Sequence, residues 1–331
     1  MQDTPSGSAR LALAARLERT PDPALRHVLL WSVRGAPHYH RARGLPRLAA
    51  QLYPVDDVDA FKRLFDVSPA LKGNGWTGLE AVAAAVDAMR SVVTKPMPKG
   101  EASAAMTAAL PREFSVDCRV CKARHVREQT FRLATLPAGL ELEPETSPPV
   151  LRPRPRRGKV TSCAGGTSEL VESYLRLNGP AGPDELAWFF QTSTPIARSL
   201  MPDGLTEVEL DGRPAWLPAD AVAALRRAKP ATGVRLLPPS DALVRVGDRE
   251  LLVPKKAQRD TLYKVVGSPG GVLLDGQIAG TWRAKTVRQR LEITVAPFGR
   301  FPAARRADLD SEAARVTTAR GLDDATVKIA R

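Results

Sequence analysis

The chain has little cysteine and no long apolar run. Three cysteines stand among its 331 residues, and an odd number argues against a disulfide framework. No segment approaches the roughly 20 consecutive apolar residues of a membrane span, and the N-terminus lacks the apolar core of a signal peptide. We therefore expect a cytoplasmic protein that does not bind a membrane.

Motifs of cofactor and nucleophile chemistry are missing as well. The sequence contains no glycine-rich phosphate loop, no paired metal-binding histidines and no Gly-x-Ser-x-Gly elbow. One short cluster remains, in which Cys118 and Cys121 are followed by His125, with Cys163 far away. A structural zinc site needs four such ligands, and a second pair is lacking. We expect small buried thiols in a turn and no metal or other cofactor, with zinc as the alternative.

Positive charge is what the chain has in excess. Its 49 Lys and Arg exceed its 36 Asp and Glu, which gives a net charge of +13. Such a balance suits a polyanionic partner because cationic side chains displace the counterions of nucleic acid. Coding bias can produce the same composition, so charge alone does not establish nucleic-acid binding. The densest basic cluster lies in the proline-rich residues 143–166 and includes Arg154, Arg156 and Arg157. We interpret this segment as a linker between domains, or as an arm that follows a DNA backbone.

Residues 167–218 have the pattern of a winged helix. Three short helical segments are followed by period-two alternation on either side of Asp211-Gly212, a hairpin-turn signal. This order is the winged variant of helix-turn-helix, a nucleic-acid-binding layout that also serves as a dimer interface or scaffold. Arg198 is the only cation of the third helix. We therefore expect contact with the DNA backbone, or scaffolding, rather than base reading.

Together the segments predict an α+β protein of tandem winged-helix modules with a small C-terminal β-sheet covered by a helix. In the N-terminal region, 1–142, helices are expected at 6–17, 45–53, 56–66, 78–93 and 101–110, and the last two, with residues around 131–133 and the strand 140–142, are a candidate first winged helix. In the C-terminal region, 219–331, strands are expected at 234–237, 272–282 and 291–295 and a helix at 308–319, whereas the residues after Gly321 carry no strong signal.

Four stretches match, in order, the signature blocks of one known family. They are residues 30–38 for W-x-x-R-G-x-x-H, Asn178-Gly179-Pro180 with Trp188 for GP…W, residues 236–241 for LLP-x-x-D and residues 275–283 for DG-x-x-x-G-x-W-R. The family they resemble is the AlkZ-like winged-helix DNA glycosylases, which unhook alkylation adducts and interstrand crosslinks. The resemblance implies a nucleoid-associated repair protein that holds double-stranded DNA largely regardless of sequence, and it leaves the oligomeric state open.

The resemblance also implies an activity and a catalytic motif. The activity is metal-free hydrolysis of the N-glycosidic bond of bulky N7-alkylated purines, with the base approached in the groove rather than fully flipped. The motif is Gln-x-Gln or Gln-x-Asp, just before a helix near the N-terminus, and the matching positions here are Gln2 and Thr4. Thr4 departs from the pattern because a hydroxyl orients water less strongly than an amide or a carboxylate. Arg34 and His38 would shape the site, or be structural residues of a turn.

Two interpretations of function therefore remain. The downstream blocks favour a DNA glycosylase, whereas the Gln-Asp-Thr motif favours a noncatalytic DNA-binding or regulatory protein on the same fold. Relatives carry a few dozen residues ahead of the motif, so we expect either a misplaced start site or a truncated member. The sequence does not indicate which lesion is recognised.

Overall fold

The computed structural model describes residues 1–19, 21–22, 24 and 27–330. It confirms the mixed α+β class. The helices are α1 (Ser8–Ala14), α2 (Leu45–Gln51), α3 (Asp57–Leu64), α4 (Ser68–Gly73), α5 (Gly78–Val92), α6 (Lys99–Ala109), α7 (Glu128–Thr135), α8 (Thr167–Asn178), α9 (Pro183–Phe190), α10 (Thr194–Ser199), α11 (Ala219–Arg226), α12 (Arg249–Leu252), α13 (Lys256–Leu262) and α14 (Arg306–Ala319). The strands are β1 (Val28–Trp31), β2 (Pro37–His40), β3 (Met97–Pro98), β4 (Ser115–Cys118), β5 (Ala123–Val126), β6 (Leu140–Leu142), β7 (Val150–Pro153), β8 (Leu205–Leu210), β9 (Arg213–Pro218), β10 (Val234–Leu237), β11 (Gly270–Leu274), β12 (Gln277–Val287), β13 (Arg290–Pro297) and β14 (Asp324–Ile329). Among these described helices, none has the length and apolar character needed to cross a membrane.

The chain divides into two compact units. Unit 1 consists of Met1–Leu25 together with Val222–Arg331, and unit 2 consists of Arg26–Ala221. The segment with the Gln-Asp-Thr motif therefore belongs to the same unit as the C-terminal sheet. The boundaries of these units differ from those of the four predicted segments. Periodicity identifies single elements, but it does not indicate which distant elements pack together.

Unit 1 is built on a five-stranded sheet with the order β10-β11-β12-β13-β14. As predicted, a helix covers it: Leu309, Ala313 and Val316 of α14 pack into one buried cluster with the sheet. Burial of a leucine or valine side chain, such as Leu309 or Val316, stabilises the fold by about 1.5–3 kcal/mol. The predicted hairpin is also present, with left-handed φ values of 47° at Asp275 and 86° at Gly276. Strand β14 was not predicted, since it pairs in parallel at the sheet edge and is mostly half-buried, which leaves no clean alternation.

The basic segment predicted as a linker contributes a strand to unit 2. The sheet of this unit has the order β2-β1-β6-β7-β3, so β7 lies between two other strands. Its residue Leu151 is fully buried. The interpretation of residues 150–153 as a connector is therefore wrong. The prolines of this segment do not prevent the strand from forming: Pro148 and Pro149 precede it, and Pro153 is its last residue.

The candidate first winged helix takes a different form from the expected one. Leu140–Leu142 pairs with β1 and β7 in the sheet of unit 2 and not with a neighbouring wing strand. Phe131 lies in α7. The hairpin of this region is instead β4–β5, placed between α6 and α7.

Residues 167–218 contain the predicted elements in the predicted order, α8, α9 and α10 followed by the hairpin β8–β9. The turn Asp211-Gly212 has left-handed φ values of 49° and 75°, as a two-residue hairpin turn requires. Gly179 has no room for a side chain, because a Cβ there would lie 2.3 Å from the Leu175 carbonyl oxygen. After this glycine, Ala181 exchanges backbone hydrogen bonds of 3.3 and 3.0 Å with Trp216 of the hairpin.

Candidate catalytic motif and nucleic-acid interface

The predicted catalytic residue Gln2 forms a hydrogen bond with Ser240, which lies 238 positions away in the chain. The Gln2 amide nitrogen lies 3.2 Å from the Ser240 hydroxyl oxygen, and Ser240 donates its hydroxyl proton to the Thr4 carbonyl oxygen. A hydroxyl has one proton, so Ser240 accepts from Gln2. This directs the amide nitrogen of Gln2 toward Ser240 and its amide oxygen away from Ser240.

The middle residue of the motif is a helix-capping residue. Asp3 is buried, and its Oδ1 accepts a hydrogen bond of 2.9 Å from the Ala9 backbone N–H in the first turn of α1. A carboxylate at this end of a helix is stabilised by the helix dipole. The Thr4 side chain is exposed and so can meet a substrate. Gln2 and Thr4 stay predicted catalytic residues.

An ion pair with a buried carboxylate fixes the turn that carries Ser240. Asp241 is fully buried and accepts two hydrogen bonds of 2.7 Å from the Arg16 guanidinium. A third hydrogen bond, of 2.9 Å, comes from the Leu243 backbone N–H. The hydrogen bond to Asp241 raises the pKa of Arg16. The end of α1 is thereby bound to the turn that orients Gln2.

The DG-x-x-x-G-x-W-R block supports the same turn. The Trp282 indole N–H donates a buried hydrogen bond of 2.7 Å to the Leu237 carbonyl oxygen. Gly280 is required by close packing, because a Cβ there would lie 2.7 Å from the Ala296 carbonyl oxygen. Two of the four sequence blocks and the Gln-Asp-Thr motif therefore meet within unit 1. Ser240 and Asp241 were not predicted as site residues, and their only signal was their place in the LLP-x-x-D block.

In unit 2, Arg34 packs against aromatic rings. It has a left-handed φ of 57°, and its guanidinium carbon lies 4.8 Å from the Trp188 ring and 5.0 Å from the Phe189 ring. The W-x-x-R-G block and the GP…W block are thus joined by cation–π contacts. The adjacent cavity has a volume of about 40 Å³, close to that of one water molecule. A DNA-binding role for Arg34 stays a prediction.

The histidines of the β1–β2 hairpin are neutral at physiological pH. Burial lowers the pKa of His38 well below its usual value and lowers that of His40 to about 4. His38 Nδ1 bonds the Ala36 carbonyl oxygen at 2.9 Å, and His40 Nε2 lies 2.9 Å from the Ser32 hydroxyl. A neutral ring does not attract phosphate as a cation would. Any contact of His38 with DNA would therefore be a neutral hydrogen bond.

The three arginines of the predicted basic arm have different surroundings. Arg157 donates hydrogen bonds of 3.1 Å to the Ala138 carbonyl oxygen and 3.0 Å to that of Arg90. Arg154 has a buried Nε without a hydrogen-bond partner in the described residues, and burial lowers its pKa. Arg156 is exposed. Arg157 fastens the segment to its own unit, and Arg156 is the one best placed to meet a phosphate.

Charge is distributed unevenly over the chain. Residues 167–218 contain eight acidic residues against three arginines, whereas unit 1 contains 24 Lys and Arg against 14 Asp and Glu. The β8–β9 hairpin exposes Glu207, Glu209 and Asp211, which repel phosphate. Arg198 of α10 is exposed, as a DNA contact requires. The rest of unit 2 contains 22 Lys and Arg against 14 Asp and Glu, so positive charge is in excess in both units outside this module.

The cysteine cluster is folded together. Cys118, Cys121 and His125 lie on the β4–β5 hairpin, and their ligating atoms are all within 4.8 Å of one another. Cys118 is half-buried and Cys121 is exposed, so the expectation of buried thiols is wrong. The Cys121 backbone N–H, followed by the His125 ring, lowers the pKa of Cys118 to about 7. Cys163 is exposed and is not a member of this group.

The chain belongs to the DNA glycosylase AlkZ-like family, whose model matches residues 1–319. It is similar to the interstrand DNA cross-link repair glycosylase of Streptomyces sahachiroi, with 28% identity over 203 residues. That match covers 60% of this chain and 51% of the relative, so the chain spans about half the length of the relative it matches. Among solved structures, Streptomyces sahachiroi DNA glycosylase AlkZ superposes with a TM-score of 0.72 at 20% identity, covering 100% of this chain and 91% of that chain. The family predicted from the signature blocks is confirmed.

Proposed function

We propose that this protein is a DNA glycosylase that hydrolyses the N-glycosidic bond of bulky N7-alkylated purines or crosslinks in double-stranded DNA. One observation carries the proposal: Gln2, the residue that matches the family motif in type and place, is oriented by Ser240. The ion pair between Arg16 and the buried Asp241 in turn supports the turn that carries Ser240. A polar group held this way is typical of a catalytic residue, because its orientation is set before the substrate binds.

The proposed hydrolysis needs little stabilisation of the leaving base by the protein. N7-alkylation places a positive charge on the purine, so the base leaves readily with the electron pair of its bond to the sugar. A water oxygen then forms the new bond to the sugar carbon. The Gln2 amide oxygen, which points away from Ser240, would accept a hydrogen bond from that water and so position it, and the exposed Thr4 hydroxyl would assist. The proton that the water loses as the new bond forms would pass to solvent. Preorganised dipoles of this kind stabilise the charge that develops on the sugar.

DNA would be held through its backbone. We propose that residues 167–218 form a winged helix that acts mainly as a scaffold, since its hairpin is acidic. The cations of unit 1, together with Arg156 in unit 2, would supply the phosphate contacts. A bulky or crosslinked lesion would be approached in the groove rather than fully flipped. Such binding depends on salt and little on sequence.

The test is base excision by the 331-residue protein. A duplex with one N7-alkylguanine, and a duplex with an N7–N7 interstrand crosslink, are incubated with excess protein and then treated with alkali to cleave abasic sites. We expect release of the modified base and strand cleavage at that position, and no release from the unmodified duplex. Tight binding without release from either substrate would support the noncatalytic alternative, which the Thr4 departure favours.

Thr4→Gln is expected to raise the excision rate. It restores the amide of the family motif, and one well-aimed polar group in an active site contributes about 10²–10³ in rate. Because the Thr4 side chain is exposed and only its carbonyl oxygen is engaged by Ser240, the replacement can be made without disturbing that hydrogen bond. Single-turnover rates on the N7-alkylguanine duplex measure the effect, with Thr4→Val as the control that removes the hydroxyl. A rate for Thr4→Gln at or below that of the control would contradict the role given to this position.

Arg156→Glu is expected to flatten the salt dependence of DNA binding. Charge reversal of Arg154 or Arg157 would disturb contacts within unit 2. Arg156 is exposed, so its replacement changes the surface charge without disturbing those contacts. Loss of one phosphate contact lowers the slope of log affinity against log salt by about 1. Fluorescence anisotropy with unmodified duplexes of two sequences measures both the slope and the sequence dependence. Arg213→Glu, on the acidic hairpin, is the matched control and should leave the slope unchanged. An unchanged slope for Arg156→Glu would remove this segment from the interface.

A further inference from the structure

We propose that Cys118, Cys121 and His125 bind one zinc ion on the β4–β5 hairpin. The site is separate from the proposed hydrolysis, in which the metal takes no part. The ligating atoms lie within 4.8 Å of one another. Zn–S distances are about 2.3 Å and Zn–N distances about 2.0 Å, so two ligands of a tetrahedral zinc lie about 3.5 Å apart. Small side-chain rotations would bring the three atoms to that spacing.

The register of the hairpin places the ligands on one face. Cys118 pairs with Ala123, and His125 follows two residues later in β5. Residues two apart in a strand share a face, and diagonal neighbours across strands are in contact range. Cys118 and His125 are therefore directed to the same side. The turn that joins the strands, with its left-handed Lys122 at φ 52°, returns Cys121 to that side.

The His125 ring is oriented as in metal-binding histidines. Its Nδ1 lies 2.7 Å from the Val126 carbonyl oxygen, so Nδ1 carries the proton and Nε2 has the free lone pair. Nε2 is buried and has no hydrogen-bond partner in the described part of the chain. Metal-binding histidines characteristically donate their other N–H to a carbonyl or carboxylate in this way. A buried acceptor without a donor is unfavourable unless a ligand occupies the position it faces.

The metal would supply what this hairpin lacks. Its two strands form a sheet of their own. The hairpin is joined to α6 where the Thr107 hydroxyl accepts a hydrogen bond of 2.8 Å from the Val126 backbone N–H, so the metal would act on the turn at the other end. The tip offers no apolar core, since Val120 is 92% exposed. Two thiolates and an imidazole select zinc rather than magnesium or calcium. The Oε1 of Glu128, just after the hairpin, is held by Lys99 and Arg132, so we assign the fourth position to water.

Metal content of the purified full chain tests the proposal. Protein expressed with added zinc and isolated in reductant is passed through metal-free buffer and measured by mass spectrometry of the elements. About one equivalent is expected in the wild type and in Cys163→Ser, and almost none in Cys121→Ser. In metal-free reduced protein, cobalt should produce thiolate-to-metal absorption in the wild type and not in Cys121→Ser. His125→Ala should weaken cobalt binding without changing the number of titratable thiols.

Three outcomes would overturn the assignment of a zinc site. Equal metal in the wild type and Cys121→Ser would place the ion elsewhere. Absence of both zinc and cobalt–thiolate absorption, with three free thiols titrated, would show that the group binds no metal. A Cys118–Cys121 disulfide in protein isolated without reductant, with no cobalt binding after reduction, would make the pair a redox site instead.

Discussion

Gln2→Ala is expected to lower the excision rate of an N7-alkylguanine by about 10²–10³, the usual effect of removing one aimed polar group from an active site. The Gln2 side chain is uncharged and half-buried, so its loss removes no phosphate contact. DNA affinity should therefore stay within twofold of the wild type. Single-turnover excision on the lesion duplex and anisotropy on the same duplex measure the two quantities separately.

Ser240→Ala separates a positioning role from a general loss of folding. It keeps Gln2 but removes the hydroxyl that directs the amide, so we expect a smaller loss of rate than for Gln2→Ala, again at unchanged affinity. The double variant should be no slower than Gln2→Ala alone, because the two residues act through one group. Equal rates for the wild type and Gln2→Ala would rule out this catalytic assignment even if excision occurs.

Arg16→Met is expected to destabilise unit 1 by about 3–5 kcal/mol, because it leaves a buried carboxylate without its cation. The Asp241 side chain is fully buried, whereas that of Arg16 is 39% exposed. The two partners therefore differ in the stability that their replacement removes. Asp241→Leu leaves an arginine that can turn to solvent, so it should lower the free energy of unfolding less than Arg16→Met does.

Hydrogen exchange reports this loss within unit 1 itself, through the amides of β10 to β13. Arg10→Met is the matched control, since Arg10 lies on α1, six residues before Arg16, and forms a 2.8 Å pair with Asp22 in which both side chains are partly exposed. Exposed pairs contribute about 0–1 kcal/mol. Equal protection in Arg16→Met and Arg10→Met would show that the pair with Asp241 does not hold the N-terminal helix to the sheet.

Local patterns predicted most single elements. The helices at 78–93 and 308–319 and the two Asp-Gly hairpins are found within a few residues of their expected bounds. Each depends on residues close in the chain: a one-sided apolar repeat, a capping residue or a left-handed turn. Those features follow from the sequence itself. The place of the Gln-Asp-Thr motif ahead of α1 follows instead from the resemblance to the family.

Which of these elements meet was decided only by tertiary structure. The strand at 150–153 pairs with partners that its proline-rich surroundings do not indicate, and β14 depends on a parallel neighbour reached across α14. Ser240 orients Gln2 although 238 positions separate them. The same holds for Arg157, whose charge predicted a phosphate contact and whose guanidinium binds backbone carbonyls. Sequence patterns report short-range periodicity and charge, whereas burial and hydrogen-bond partners are set by segments distant in the chain, and these determine what each polar residue can do.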